Sequence, residues 1–218
     1  DNGAEIAAAR TAIFTSVIAK WAEEQQAAYG FDLPFAVVAL GGTGRAEVTP
    51  CSDLDIAFLF EGPIEEEPIL PFLLELQRQT LNTREFRDRF GFSFAALPYG
   101  LDDVPGLKEK DLNAFLDLAP VYDPHGLTNI FRQRISKTFD PFEHFLHVSN
   151  LWRRQWERTG ARPERVDRFD LKNNALRLFL AGVWTLAGKE FEHSHDIYKL
   201  ICKEDPRDLA AYHFLLRL

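Results

Sequence analysis

The residues with the clearest potential for chemistry lie between positions 41 and 55, where a glycine-rich turn precedes two aspartates. They are Gly41, Gly42, Thr43, Gly44 and Arg45, followed by Ser52, Asp53, Leu54 and Asp55. Glycines let a backbone approach phosphate groups closely and present its amide groups to them. An arginine adds a planar guanidinium that suits phosphate oxygens. The turn therefore predicts a site for a phosphate-bearing ligand.

The two aspartates are spaced for binding a metal ion. Asp53 and Asp55 are separated by one residue at the start of a predicted strand, where alternation directs both carboxylates to the same face. Two carboxylates beside a phosphate-binding turn favour a hard divalent cation, Mg²⁺ or Mn²⁺, which would bridge them to a nucleoside triphosphate. Ser52, directly before the pair, could orient a phosphate or a carboxylate.

Either feature alone is a weak indication, because most glycine-rich turns are only turns and most Asp-X-Asp segments are solvated loops. Here both occur, together with an arginine, between two apolar runs at 35–40 and 56–60 that are typical of buried strands. This combination in one strand-turn-strand unit predicts a nucleotide site.

The segment from Gly41 to Asp55 closely resembles the signature of the polymerase-beta-like nucleotidyltransferase superfamily. The nearest branch is that of the bacterial PII-uridylyltransferases and DUF294-like signal-transduction proteins. Its pattern is Gly-Gly-X-Gly-Arg-X-Glu-X-X-Pro-X-Ser-Asp-X-Asp, and every fixed position is matched here. The resemblance implies that both aspartates are catalytic and bind Mg²⁺. The nucleotide-binding residues that it implies in this segment are Gly41, Gly42, Gly44, Arg45 and Ser52.

A weaker resemblance lies downstream. Residues 170–177 resemble the family's later Asp-X-Lys segment, which adds Lys172 and Arg177 to the implied nucleotide-binding residues. Residues 111–117, which include Asp117, loosely resemble the stretch that precedes the family's helical part. The resemblance implies an enzyme that transfers a nucleoside monophosphate from a nucleoside triphosphate to a hydroxyl acceptor, which could belong to a signalling protein.

The sequence departs from the pattern on the next predicted strand, where many members of the superfamily carry a third carboxylate. Residues 90–97 contain neither Asp nor Glu, and Ser93 stands about where that carboxylate is expected. Losing a general base would lower the rate by a factor of about 10²–10⁴. Asp102, Asp103 or Asp111 could supply the group, although each also suits a helix N-terminal cap.

Two alternatives to an active enzyme therefore stay open. The chain could be a nucleotide-binding regulatory module with weakened catalysis, or an interaction module in which the motif is vestigial. His144 with His147, and His193 with His195, could ligate a metal, but no acidic or cysteine cluster of zinc spacing accompanies them. The arginines between 153 and 168 are more simply explained as a solvated helix face.

The elements that must position these residues form an α+β fold. We expect an α/β nucleotidyltransferase domain with a small mixed sheet over 1–125 and an all-helical substrate-binding or partner-binding subdomain over 126–218. Strands are predicted at 35–40, 56–60, 90–97 and 118–122. Helices are predicted at 4–29, 66–89, 107–118, 125–137, 141–158, 171–187, 193–203 and 206–217.

The composition limits the partners. The formal net charge of −8 does not favour nucleic acid as a ligand. No apolar run reaches the roughly 18 residues that indicate a membrane span. Two cysteines give no disulfide framework, so the expected setting is cytoplasmic. The sequence does not predict which nucleotide, which acceptor or which oligomeric state the protein has.

Overall fold

A computed structural model describes residues 2–29, 33–50, 52–81, 83–92, 94–107, 109–159 and 176–187, together with 207, 210 and 212. The chain consists of two compact units, Asp1–Ile135 and Ser136–Leu218, and each is described by itself. The expected functional division after residue 125 stays a prediction.

The first unit contains four strands and most of the described helices. The strands are β1 (Phe35–Ala39), β2 (Asp55–Phe60), β3 (Ala95–Gly100) and β4 (Ala119–Tyr122). The helices, with α6 ending in the second unit, are α1 (Asn2–Tyr29), α2 (Gly41–Gly44), α3 (Ile69–Leu81), α4 (Thr83–Phe90), a 3₁₀ helix (Leu101–Gly106), α5 (Glu109–Phe115) and α6 (Leu127–Thr138). This arrangement confirms the predicted α+β fold.

The four strands form one mixed sheet in the order β3-β2-β1-β4. β1 is antiparallel to both β2 and β4, whereas β2 and β3 are parallel. The end of β1 therefore meets the starts of the other three strands. We call this the glycine end of the sheet, defined by Ala39, Asp55, Ala95 and Ala119.

Apolar residues at alternate positions of the strands bury one face of the sheet. Every residue of β1 is buried, which explains its continuous apolar sequence. Trp21 of α1 packs against Phe58 of β2, with ring centroids 6.2 Å apart, and its indole N–H donates to Gln79 over 2.9 Å. The core on this face includes Ile18, Trp21, Phe35, Val37, Ile56, Phe58, Phe72, Leu76 and Phe86. This packing fixes α1, α3 and α4 under the sheet.

Two predicted elements differ from those observed. The single helix predicted over 66–89 is instead α3 and α4, which are separated at residue 82, outside the described residues. The strand predicted over 90–97 lies at Ala95–Gly100 and includes Pro98, which had been expected to end it. A proline is tolerated there because β3 is an edge strand and needs fewer backbone donors.

The second unit is helical where it is described. α7 (Pro141–Thr159) and α8 (Arg177–Ala187) pack together, and the Thr185 hydroxyl donates to the Pro141 carbonyl over 3.2 Å. The helices predicted at 193–203 and 206–217 and His193 and His195 fall outside the described residues or on isolated ones. Among the described helices, none combines the length and apolar character needed to cross a membrane.

Candidate active site

The glycine-rich turn is a single helical turn that begins immediately after β1. The Gly44 amide donates to the Leu40 carbonyl over 3.0 Å, and the Arg45 amide donates to the Gly41 carbonyl over 3.0 Å. The Glu47 amide closes the turn by donating to the Gly42 carbonyl over 2.8 Å. The first amides of any helix have no acceptor within that helix, so the amides at the start of this turn have no partner within the turn itself.

The three glycines of the turn lie in different structural environments. Gly41 has a φ of +51°, and a Cβ on it would lie 3.3 Å from Asp55 Oδ2. Gly44 has no space at all, because a Cβ would lie 1.8 Å from the Asp117 carbonyl oxygen. At Gly42 a Cβ would be 3.8 Å from the Arg45 guanidinium, which is an ordinary contact. Gly41 therefore permits close approach to an aspartate, whereas Gly44 permits close packing of two backbones.

Two hydrogen bonds hold the first residue of β2 against the turn. The Leu40 amide donates to the Asp55 carbonyl over 2.8 Å. The Asp55 amide donates to the hydroxyl of Thr43 over 3.0 Å, and the Thr43 side chain is buried. Since both backbone groups of Asp55 are fixed, its carboxylate is held beside the glycine turn.

The predicted alternation of the acidic pair agrees with the observed exposures. Asp53 and Asp55 are exposed, whereas Leu54 between them packs against the core. β2 begins at Asp55, so Asp53 lies one residue before the strand proper. Both carboxylates are consequently accessible at the glycine end of the sheet.

Asp53 and Asp55 provide only some of the ligands that a divalent cation needs. Carboxylate oxygens are the ligands that Mg²⁺ prefers, and this ion usually keeps waters or substrate phosphates as its other ligands. No group of three or more metal-ligating side chains occurs within the described ranges. Asp53 and Asp55 therefore fit an ion that also requires ligands from a bound nucleotide or from water. Their role as metal ligands stays a prediction.

The third carboxylate is missing from the described part of β3. Ala95 is the register partner of Asp55, and Leu97 is the partner of Ala57, so these two positions share the face of Asp55. Leu97 is 60% exposed there. Ser93, which the sequence puts at the expected carboxylate position, lies outside the described residues.

The aspartates considered as substitutes do not lie near the pair. Asp102 and Asp103 follow Gly100, at the opposite end of β3 from Ala95. Five extended steps separate the two ends of the strand by about 16 Å. Asp103 accepts a 2.6 Å hydrogen bond from the Gly100 amide, so it caps the 3₁₀ helix. Asp102 instead forms an ion pair with Arg134, and the side chain of Asp111 lies outside the described atoms.

Arg45 is engaged by two carboxylates. Its side chain is only 8% exposed, Nε donates to Glu47 Oε2 over 2.7 Å, and Nη1 donates to Asp117 Oδ2. Asp117 is buried just before β4, at the glycine end. The sequence had pointed to Asp117 only through a loose resemblance, and its pairing with Arg45 was missed. The predicted contact between Arg45 and phosphate stays a prediction.

The remaining predicted nucleotide ligands are less well defined. Ser52 forms a turn with Thr49, whose amide donates to Ser52 Oγ over 3.2 Å. Lys172 lies outside the described residues. Arg177 is the first residue of α8, and its side chain is outside the described atoms. The structure thus brings together the glycine turn and the acidic pair, and it does not describe how Lys172 and Arg177 relate to them.

Comparison with known proteins identifies a family for the segment that contains this site. A family model described as "Putative nucleotidyltransferase DUF294" matches residues 3–83, which include the glycine turn and both aspartates. A comparison with curated proteins found no match. For residues 3–83, this match supports membership of the nucleotidyltransferase superfamily, in its DUF294-like branch.

Proposed function

We propose that the protein transfers a nucleoside monophosphate from a nucleoside triphosphate to a hydroxyl acceptor and uses Mg²⁺ or Mn²⁺ in doing so. One observation carries this proposal. The Asp55 backbone is fixed by Leu40 and Thr43, so that its carboxylate lies beside Gly41 of the turn. A carboxylate and helix-start amides at one place suit a metal-bound polyphosphate.

The proposed transfer forms one bond and breaks one bond at the α-phosphorus of the nucleotide. The acceptor oxygen forms a bond to the α-phosphorus, the bond from this phosphorus to the bridging oxygen breaks, and pyrophosphate leaves. The hydroxyl proton passes to a base. A divalent ion bound by Asp53 and Asp55 would neutralise charge on the attacking and leaving oxygens. The turn would orient the phosphates through the backbone amides of Gly41 and Gly42, where no side chain blocks their approach.

The buried contacts of Arg45 support a positioning role for this residue. Because Glu47 and Asp117 both accept from the guanidinium, Arg45 links the turn to the segment before β4. The turn is then preorganised, and binding a phosphate requires no reordering of its backbone.

A uridylyl donor, a signalling protein as acceptor and a cytoplasmic setting are further parts of the proposal. They rest on the resemblance to PII-uridylyltransferases. Lys172 and Arg177 are proposed as additional nucleotide ligands on the same basis.

The second candidate is a nucleotide-binding regulatory module with weakened catalysis. It is favoured by β3, where Ala95 stands beside Asp55 and Leu97 follows on the same face. Neither side chain can accept the proton of an attacking hydroxyl. A module of this kind would bind the metal-nucleotide complex through the same turn and aspartates, but it would not turn it over at a useful rate.

Pyrophosphate release separates the two candidates. The wild type is incubated with Mg²⁺, each of the four common nucleoside triphosphates and proteins that offer tyrosine, serine or threonine hydroxyls. We expect release that falls at least about 100-fold in Asp53→Asn and in Asp55→Asn. Asp88→Asn, which changes an exposed carboxylate of α4, is the matched control and should retain full activity.

Calorimetry with the same nucleotides completes the test. Binding without turnover, lost in both aspartate variants, supports the regulatory module. If the wild type binds none of the Mg²⁺-nucleotide complexes, both candidates are wrong.

A further inference from the structure

The face of the sheet that carries Asp55 is covered at its centre. On the two central strands, β1 and β2, the apolar residues of this face are fully buried, and they are Ala36, Val38, Ala57 and Leu59. The helices α5 and α6 lie over this face. Tyr99 of β3 contacts Phe115 of α5, and Phe115 contacts Phe131 of α6, with ring centroids 4.7 and 4.8 Å apart. An apolar side chain on this face is therefore expected to be buried.

Leu97 of β3 is an exception on the same face. Its register partner Ala57 is fully buried, yet 60% of the surface of Leu97 is exposed. Ala95, the register partner of Asp55, is exposed as well. The cover that reaches Tyr99 therefore ends near Leu97, and the first half of β3 is left open beside the acidic pair.

The register of the sheet places Leu97 close to Asp55. Neighbouring strands lie about 4.8 Å apart, and two residues of a parallel strand span about 6.6 Å. The Cα atoms of Leu97 and Asp55 are therefore about 8 Å apart, with both side chains on one face of the sheet. A group bound at the Asp55 carboxylate is thus within reach of the leucine side chain.

β3 and the glycine turn lie on opposite sides of Asp55. The strands follow the order β3-β2-β1-β4, the turn comes directly after β1, and Asp55 begins β2. Displacement at phosphorus places the attacking and the leaving oxygen roughly in line, on opposite sides of the phosphorus. With the pyrophosphate on the turn and the metal ion at Asp55, the attacking hydroxyl therefore approaches from the side of β3.

Leu74 of α3 provides an internal comparison. A single exposed leucine is common on protein surfaces, and Leu74 is 56% exposed. It belongs to a helix whose buried residues, Phe72 and Leu76, pack in the core on the opposite face of the sheet. Leu97 differs from it in position, because it stands on a face that is otherwise covered and beside a carboxylate of the acidic pair.

From these observations we infer that Leu97 contacts the acceptor next to its reacting hydroxyl and selects an acceptor whose hydroxyl is carried by an apolar group. The inference rests on the proposed nucleotidyl transfer and adds to it a specificity-determining residue and a chemical class of acceptor. An apolar group that covers the exposed surface of Leu97 gains the free energy of burial. A polyol in the same place would hold its other hydroxyls against a leucine, which offers them no hydrogen bond.

Competition between two small alcohols tests this assignment on the full chain. 1-Butanol and erythritol both have four carbons and a primary hydroxyl, but only butanol carries its hydroxyl on an apolar chain. Both are added at equal concentration with Mg²⁺ and each of the four common nucleoside triphosphates, and mass spectrometry measures the two esters of the nucleoside monophosphate. The wild type should form about tenfold more of the butyl ester.

Three variants show whether Leu97 is responsible for the preference. Leu97→Gln keeps the length of the side chain but ends it in an amide, so the ratio of the two esters should fall close to one. Leu97→Met keeps an apolar side chain and should retain the preference. Leu74→Gln is the matched control at a similarly exposed leucine and should give the wild-type ratio. Because both alcohols compete for the same donor complex, the ratio does not depend on the amount of folded protein.

The outcomes separate this inference from the proposed function. If the wild type cleaves a nucleoside triphosphate but modifies neither alcohol, or modifies both equally, the inference is wrong and the proposed function stands. An unchanged preference in Leu97→Gln would mean that another residue selects the acceptor, and it would overturn the role of Leu97. If no nucleoside triphosphate is cleaved with any acceptor, water included, the proposed transfer is wrong and the inference fails with it.

Discussion

Gly44 packs so closely against Asp117 that a Cβ on the glycine would lie 1.8 Å from the aspartate's carbonyl oxygen. The neighbouring residue Arg45 donates to the side chain of the same aspartate. The glycine turn is thus joined to the start of β4 by a backbone contact and by a buried ion pair. The third glycine of the motif is explained by this packing without any phosphate.

Gly44→Ala should destabilise the first unit strongly. The added Cβ meets a backbone atom, which cannot move aside as a flexible side chain would, so we expect a loss of about 3 kcal/mol in the free energy of unfolding. Gly42→Ala is the control, because its Cβ would meet only the Arg45 guanidinium at 3.8 Å. It should change the free energy by less than about 1 kcal/mol in urea denaturation. Equal effects at the two positions would contradict the observed packing.

Asp117→Asn should also destabilise the protein, because it leaves the buried Arg45 guanidinium with less compensating charge. Removing one partner of a buried ion pair costs about 3–5 kcal/mol. Arg45→Met should have a similar effect, since it leaves the Asp117 carboxylate without its guanidinium. The double variant Arg45→Met with Asp117→Asn should be more stable than the sum of the single losses predicts.

A double-mutant cycle of urea denaturation measures this coupling. Additive losses would mean that the two residues do not stabilise each other. An unchanged stability in both single variants would contradict the buried ion pair itself.

Thr43→Val should reduce nucleotide transfer more than it reduces stability. The variant removes the hydroxyl that accepts from the Asp55 amide, and the loss of one such hydrogen bond costs about 1–2 kcal/mol. The Asp55 carboxylate would then be held less firmly, so kcat should fall while KM changes little. Thr43→Ser retains the acceptor and should restore most of kcat. A purely structural role would leave kcat of the folded variant unchanged.

Much of this site could be predicted from local sequence patterns. Alternation along a strand and the backbone conformations open to glycine depend on only a few neighbouring residues. The alternation of Asp53 and Asp55 about Leu54 was predicted for that reason, and it agrees with the exposure of both aspartates. The partner of Arg45 could not be predicted in this way, since Asp117 is 72 residues distant in the chain. The motif contains an arginine after the glycines. It does not indicate whether the hydrogen bonds of that arginine are accepted by a phosphate or by a buried carboxylate.

The bounds of β3 depended on the whole sheet. The proline-tyrosine-glycine segment at 98–100 normally ends a strand, and it was predicted to do so here. It continues the strand because β3 lies at the edge, where Pro98 needs no partner on its free side. The order of the strands is determined by tertiary packing, so it cannot be predicted from the sequence around residue 98.

The buried side chain of His144 should make the stability of the second unit depend on pH. This side chain is buried on α7, and neither ring nitrogen has a hydrogen-bond partner among the described residues. Burial, and then the nearby His147, lower the pKa of His144 to about 4. The folded state therefore favours the neutral ring, whereas the unfolded chain binds a proton near pH 6.5.

The sign of the effect follows from this difference. Stability from the neutral ring is fully present above about pH 6.5 and is lost as the pH falls towards 4, by about 1.4 kcal/mol per pH unit in between. Urea denaturation at pH 7.5 and pH 5 measures it. His144→Phe, which keeps an aromatic ring near Phe139, should lose less stability over this interval than the wild type. Identical losses in the two proteins would mean that His144 titrates normally and is not held neutral by burial.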